Sequence, residues 1–231
     1  MLPAVKTLAL SLTCMSFLLF ACSEGEPPAV AHDMKYQLIG HDGQPLSAAI
    51  HDTKHQGASG DGSPLYDAVA PCVLDRSTDL RWEVKEDAPG LHDWRNTYSW
   101  FNPEEASEEL DYRGLANGGD CSGSDCDTWS FAIAVNEAGR CGFHDWRLPS
   151  RDELLSISEL GKAADPPTVD TAYFPFAQPD EYWSGFDYSF RYDAAWAWSF
   201  RHGHDRVDWK KAPKYVRLVR GTPGDLPEVK E

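Results

Sequence analysis

The chain has 231 residues, 42% of them hydrophobic, which is enough for one good core and argues against several domains. Acidic residues outnumber basic ones 37 to 21, and the formal charge of −16 excludes a partner held mainly by neutralising phosphate or sulfate, nucleic acid among them. Aromatics make up 12%, with nine Trp, more than a minimal core requires, so some are available for a binding face.

Residues 1–21 read as a signal peptide, with Lys6 ahead of an apolar run from Leu8 to Phe20 that is too short for a membrane span. The run ends in Leu19-Phe20-Ala21-Cys22, which resembles the bacterial lipobox, so Cys22 is expected to carry the acyl chains, palmitate among them. Cleavage after Ala29-Val30-Ala31 is the alternative, but it leaves a long polar stretch between the apolar run and the cut. Ser23, where Asp would signal inner-membrane retention, predicts sorting to the outer membrane. Without residues 1–21 the chain carries 20 basic against 37 acidic residues, so lipid and not charge must hold it to an anionic leaflet.

Residues 22–33, rich in Pro, Glu and Ala, form a tether between the acylated Cys and a domain over 34–221; residues 222–231 are a polar tail. Tyr36 to Ile39, then His41-Asp42-Gly43 and Leu46, predict a strand, a turn and a return. Gln56 to Ser63 is Gly and Ser rich and reads as a loop. Two short strands flank the Asp75 to Asp79 turn, and the alternation of Leu80, Trp82 and Val84 places those three on one buried face.

Residues 87–117 are polar and irregular, with Tyr98-Ser99-Trp100-Phe101-Asn102-Pro103 as one sticky patch. A helix is predicted over Thr128 to Ala138, capped by Thr128, with Trp129 and Ile133 inward and Ala132 and Asn136 beside them, ended by Gly139. The block Cys141 to Ser150 has the residue types of a structural knot: Trp146 and Leu148 to bury, Arg147 to fan donors, Pro149 to stop regular structure. Ser150-Arg151-Asp152-Glu153 is a capping box that opens a second helix, with Leu154, Leu155 and Ile157 or Ser158 inward until Gly161. Strands follow at Tyr182 to Ser184, Ala195 to Phe200, Arg206 to Trp209 after a Gly203 turn, and Tyr215 to Arg220; Trp196, Trp198 and Phe200 share a side.

With Cys14 removed and Cys22 lipidated, Cys72, Cys121, Cys126 and Cys141 remain, an even number that suits an exported chain. Three pairings exist; the favoured one clasps Cys121 to Cys126 and staples Cys72 to Cys141, contributing about 2 and about 4 to 5 kcal/mol in the loop-entropy account. Cys121 and Cys126 lack the C-x-x-C spacing of zinc or redox sites.

Taken in order, several motifs resemble one bacterial family. They include Tyr36 to Leu46, Cys72-Val73-Leu74-Asp75, Leu80 to Lys85, Tyr98 to Asn102, Ala134 to Gly139, Cys141 to Glu153, Asp170 to Pro175, Tyr182-Trp183-Ser184 and Val216 to Gly221. That family is the domain at the C-terminus of the Legionella collagen-like adhesin. The resemblance implies an exported, often lipidated, non-enzymatic α+β domain, similar to C-type-lectin-like domains, here a single disulfide-stapled unit with a mixed sheet and two main helices. The adhesin member binds sulfated glycans; this chain has no collagen-like repeat and is strongly acidic, which argues against that ligand and for a neutral glycan or an envelope protein.

Candidate sites follow from loop chemistry. Phe186, Tyr188, Phe190 and Tyr192 lie between family motifs and are the expected ligand surface. Asp120, Asp125 and Asp127 on the clasped loop supply hard oxygens for a Ca²⁺ ion, although they miss EF-hand spacing and also read as solvated loop acids. Gln178-Pro179-Asp180 resembles the galactose-type triplet of calcium-dependent lectins, without a second ligand motif. His202, His204 and Asp205 offer transition-metal ligands but sit where a hairpin turn is expected. No catalytic residues are assigned: acids are plentiful, yet no motif pairs them or sets a nucleophile beside a base.

Overall fold

A computed structural model describes residues 35–46, 70–105 and 111–222, all within one compact unit. The expected signal peptide, Cys22, the tether, the Gln56 to Ser63 loop and all of the polar tail beyond residue 222 lie outside the described residues. Among those described, no helix is long and apolar enough to cross a membrane.

Short β-prone runs separated by turns build two antiparallel sheets, where the sequence had predicted one mixed sheet. β1 (Tyr36–Ile39), β2 (Cys72–Asp75), β3 (Leu80–Glu83) and β7 (Val219–Arg220) form the first, in the order β1-β2-β3-β7. β4 (Glu181–Asp187), β5 (Ala194–Ser199) and β6 (His204–Trp209) form the second, in chain order. The strand predicted over Tyr215 to Arg220 is instead extended chain that changes partners. Tyr215 bridges to Tyr182 on β4, the Leu218 carbonyl accepts from the Glu83 N–H at 3.0 Å, and only Val219–Arg220 join β3 as a strand.

Alternate side chains of these strands enter two cores. Leu80, Trp82, Val84, Tyr182, Trp198 and Phe200 pack into the first with Leu154 of α2 (Arg151–Ser156) and Ile157 just after it. Cys72, Trp183, Ala195 and Ala197 pack into the second with Phe131 and Val135 of α1 (Thr128–Ala138). A strand between two cores needs apolar residues on both faces, and β5 has them in Ala-Ala-Trp-Ala-Trp. Tyr98 and Trp100, from the sticky patch within the polar stretch, are buried in the second core. The Trp100 indole N–H donates to Ser184 O at 3.0 Å and the Trp183 indole N–H to Tyr98 O at 2.8 Å.

Helix α1 corrects two expectations. Its cap is Asp127, which accepts from the Ser130 N–H at 2.8 Å, and its inward stripe is Thr128, Phe131 and Val135, which leaves Ile133 exposed. Phe131 and Val135 are four residues apart, just as Trp129 and Ile133 are, so periodicity alone could not choose between the stripes. Gly139 ends the helix in the left-handed conformation, as expected (φ 71°).

The block from Cys141 to Ser150 ties the pieces together. Cys141 is bonded to Cys72, and Cys121 to Cys126, so the domain carries two disulfides. Asn136 clamps Trp146 by accepting from its N–H at 2.7 Å and donating to its C=O at 2.8 Å. Arg147 forks onto Glu153 at 2.8 and 2.5 Å, and Glu153 also closes the capping box with Ser150.

Burial also takes in charge. Glu83 is fully buried, with Lys85 Nζ at 2.9 Å, His92 Nδ1 at 2.8 Å and the Leu218 N–H at 3.1 Å from its carboxyl oxygens, while Arg217 donates to the Glu83 carbonyl at 2.6 Å. Burial by itself would raise the Glu83 carboxyl; Lys85 and His92 overcome it and hold the group well below the usual carboxylate range. Burial pulls Lys85 and Arg217 below their ordinary values, and each cation rests against a ring, Lys85 on Phe131 and Arg217 on Phe174. Glu83, Lys85 and Arg217 are buried and bonded to one another's backbone or side chains, which makes the role of this cluster architectural.

Candidate functional site

The second sheet presents a face that is only partly covered. Directly opposed residues in an antiparallel ladder share a side, and the register pairs Trp198 with Asp205, Trp196 with Val207 and Ala194 with Trp209. Trp198 lies in the first core. Further along the same face the cover ends: Trp196 is half-buried, and Val207 and Trp209 are exposed, Trp209 by 59%.

Other elements extend this surface. Phe186, 58% exposed on β4, joins Trp196, Asp187 and the helix start at Ser150 to Asp152 around a shallow pocket of about 300 Å³. The Arg151 guanidinium lies 3.9 Å from the centre of the Trp196 ring and donates to Asp205 at 2.9 Å, which fixes both the ring and the charge beside it. Tyr188 packs edge-on against Trp196 at 5.1 Å, and Phe190, 84% exposed, lies 5.4 Å from Tyr188.

Of the four residues expected to form the ligand surface, three therefore gather around Trp196. Tyr192 goes elsewhere and pairs with Tyr112 at 5.4 Å. Sequence reasoning missed Arg151, Val207 and Trp209, and placed Trp196 in the core. The signal for Val207 and Trp209 was present in β6, where Asp205, Val207 and Trp209 alternate with His204, Arg206 and Asp208, but alternation does not say which face is covered. On the opposite face Lys214 lies 2.5 Å from Glu181 and 2.6 Å from Asp208; burial would raise the Asp208 carboxyl, and Lys214 brings it below its ordinary value.

The other candidate residues are dispersed. Asp127 is buried, its oxygens taken by the N–H groups of Ser130 and Asn117 and the Ser130 hydroxyl. Asp120 bridges to Thr97, and Asp125 opens onto a separate depression of about 360 Å³ with Trp129 and Glu137. Gln178 and Asp180 are engaged within their own turn, Gln178 donating to Phe176 O and Asp180 accepting from the Glu181 N–H. The His202 and His204 rings stack 5.7 Å apart, but Asp205 is turned toward Arg151. Among the described residues no three His, Cys, Asp or Glu side chains are grouped so as to hold a metal ion.

The sequence profile of the Lcl C-terminal domain matches residues 71–220. The chain belongs to this family. No curated protein and no solved structure matches it. The matched span of the Lcl C-terminal domain contains every residue of the aromatic face and both disulfides. It omits β1, which nevertheless completes the first sheet by pairing Tyr36 to Asp75 and Ile39 to Cys72.

Proposed function

We propose that this Lcl C-terminal domain is a non-catalytic binding module of the bacterial envelope, anchored to the outer membrane through lipid on Cys22, and that its ligand is a neutral glycan or an envelope protein. The observation that carries this reading is an apolar face on which Phe186, Val207 and Trp209 are exposed beside the half-buried rings of Tyr188 and Trp196. Flat rings with polar groups at their margin suit pyranose rings, whose C–H faces stack while their hydroxyls take hydrogen bonds. Arg151, Asp205 and Asp187 supply that margin. The excess of acid over base disfavours sulfated chains. A likeness to C-type-lectin-like domains belongs to the same reading.

A second reading is a structural lipoprotein that packs against an envelope protein, and the exposure of Trp209 and Phe190 favours it, since such anchors also suit protein interfaces. A glycan array probed with the chain from Ser23 onward, with calcium and again with chelator, separates the two. Retention of a neutral glycan that is indifferent to chelator and lost in Trp209→Ala or Phe186→Ala supports the aromatic face. Retention abolished by chelator moves the site to a calcium-dependent one at Asp120, Asp125 or Asp180. No glycan retained on any spot turns the assignment to a protein partner.

A further inference from the structure

β6 has no strand on its outer side among the described residues. The Lys210 N–H donates to Asp193 O at 2.8 Å, which sets the phase of the ladder: His204, Arg206 and Asp208 bond toward β5, while Asp205, Val207 and Trp209 point their N–H and C=O groups outward. Such an edge is a template for another strand.

The chain covers part of it with its own groups. Asp208 Oδ1 accepts from the Trp209 N–H at 2.7 Å, His204 Nδ1 lies 2.8 Å from the Asp205 C=O, and the Trp209 C=O accepts from Ala212. The N–H and C=O of Val207, midway between, carry no such cap among the described residues. The edge is thus capped at Trp209 and at the Asp205 C=O, while the Asp205 N–H and both groups of Val207 stay open among the described residues.

We propose that β6 pairs antiparallel with β6 of a second copy of this chain, about a two-fold axis through Val207. That register sets Val207 against its own counterpart, Asp205 against Trp209, and Arg206 against Asp208. Directly opposed residues share a face, so the Arg206 and Asp208 side chains meet twice, once on each side of the axis. The charge pattern selects this occupant: a strand complementary to Arg206-Val207-Asp208 must present Asp and Arg in reverse order two residues apart, and β6 itself does so. Arg206 is largely exposed, with only a 3.3 Å contact to Glu181. Asp208 Oδ1 becomes free for it when the Trp209 N–H finds a carbonyl across the axis. The pairing makes one six-stranded sheet and sets two aromatic faces side by side, which doubles the valency of the surface without any collagen-like stalk. It stands whether or not that surface binds a glycan.

Sedimentation velocity of the full chain over a concentration series tests it. Reversible dimerisation is expected, and a chain that stays monomeric to its solubility limit overturns the proposal. Arg206→Asp and Asp208→Arg each replace two attractions with two repulsions and should weaken the dimer by about tenfold or more. An equimolar mixture of these two variants should form a heterodimer of native strength, because each presents the charges the other lacks. A dimer indifferent to both substitutions, or a mixture that fails to associate, places the interface elsewhere and overturns the proposal. Should Asp208→Arg misfold for want of the Lys214 partner, Val207→Pro removes the open N–H at an edge position that tolerates proline and should abolish the dimer.

Discussion

Trp82 on β3 and Trp209 on β6 both occupy short antiparallel strands beside charged neighbours, yet Trp82 is fully buried and Trp209 is 59% exposed. In the first sheet Leu80, Trp82 and Glu83 of β3 are buried, so the Glu83 carboxylate must find its partners within the protein. The second sheet is graded: β4 and β5 lie between the two cores, and β6 stands outside them. The same residue types hold the domain together in one sheet and face solvent in the other, so position in the sheet decides which of them carry stability and which are left for the proposed ligand.

The largest expected effect lies in the first sheet. Glu83→Ala strands Lys85 and Arg217 as uncompensated buried cations and should cost about 3 to 5 kcal/mol in a denaturant titration. Replacing both Cys72 and Cys141 by Ser opens a loop with a sequence separation of 69 and should cost about 4 kcal/mol, against about 2 kcal/mol for the Cys121 and Cys126 pair, whose separation is 5. A cost for the small clasp equal to that of the staple would contradict the loop-entropy account. Because the folded-state value of Glu83 is depressed from its ordinary 4.5, its contribution is fully present above that pH and is lost as the pH falls below it. The unfolding midpoint should therefore hold from neutral pH down to about 5 and drop beneath 4.5, more shallowly in Glu83→Gln. At the small end, Trp209→Ala should shift stability by no more than about 0.5 kcal/mol while reducing ligand retention. A stability loss comparable to that of a buried Trp would erase the contrast between the sheets.

The features legible in the sequence obey local rules. Leu80, Trp82 and Val84 alternate and are buried together, the Ser150 and Glu153 capping box is present, and both the short Cys121–Cys126 clasp and the long Cys72–Cys141 staple join as expected. What escaped depends on contacts distant in sequence. Nothing near Lys85, Lys210 or Lys214 announces burial, because each is accommodated by a ring from another segment: Phe131, Trp100 and Trp183 respectively. Tyr98 and Trp100 lack periodicity because they sit in irregular chain. Of the expected ligand residues, Phe186, Tyr188 and Phe190 were singled out from their place between motifs, and the fold groups them around Trp196. Arg151 was hidden because its first reading, as part of a helix start, is also correct.

The partners of Glu83 have a temporal consequence. The carboxylate on β3 needs the N–H of Leu218, and the backbone beside it needs Arg217, more than 130 positions later. A chain emerging from its N-terminus therefore completes β2 and β3 long before it can close the core around them. Contacts of such high separation make folding late and slow. Any chain stopped short of Arg217 has Lys85 and His92 beside the Glu83 carboxylate but lacks the Leu218 N–H that completes its set of partners.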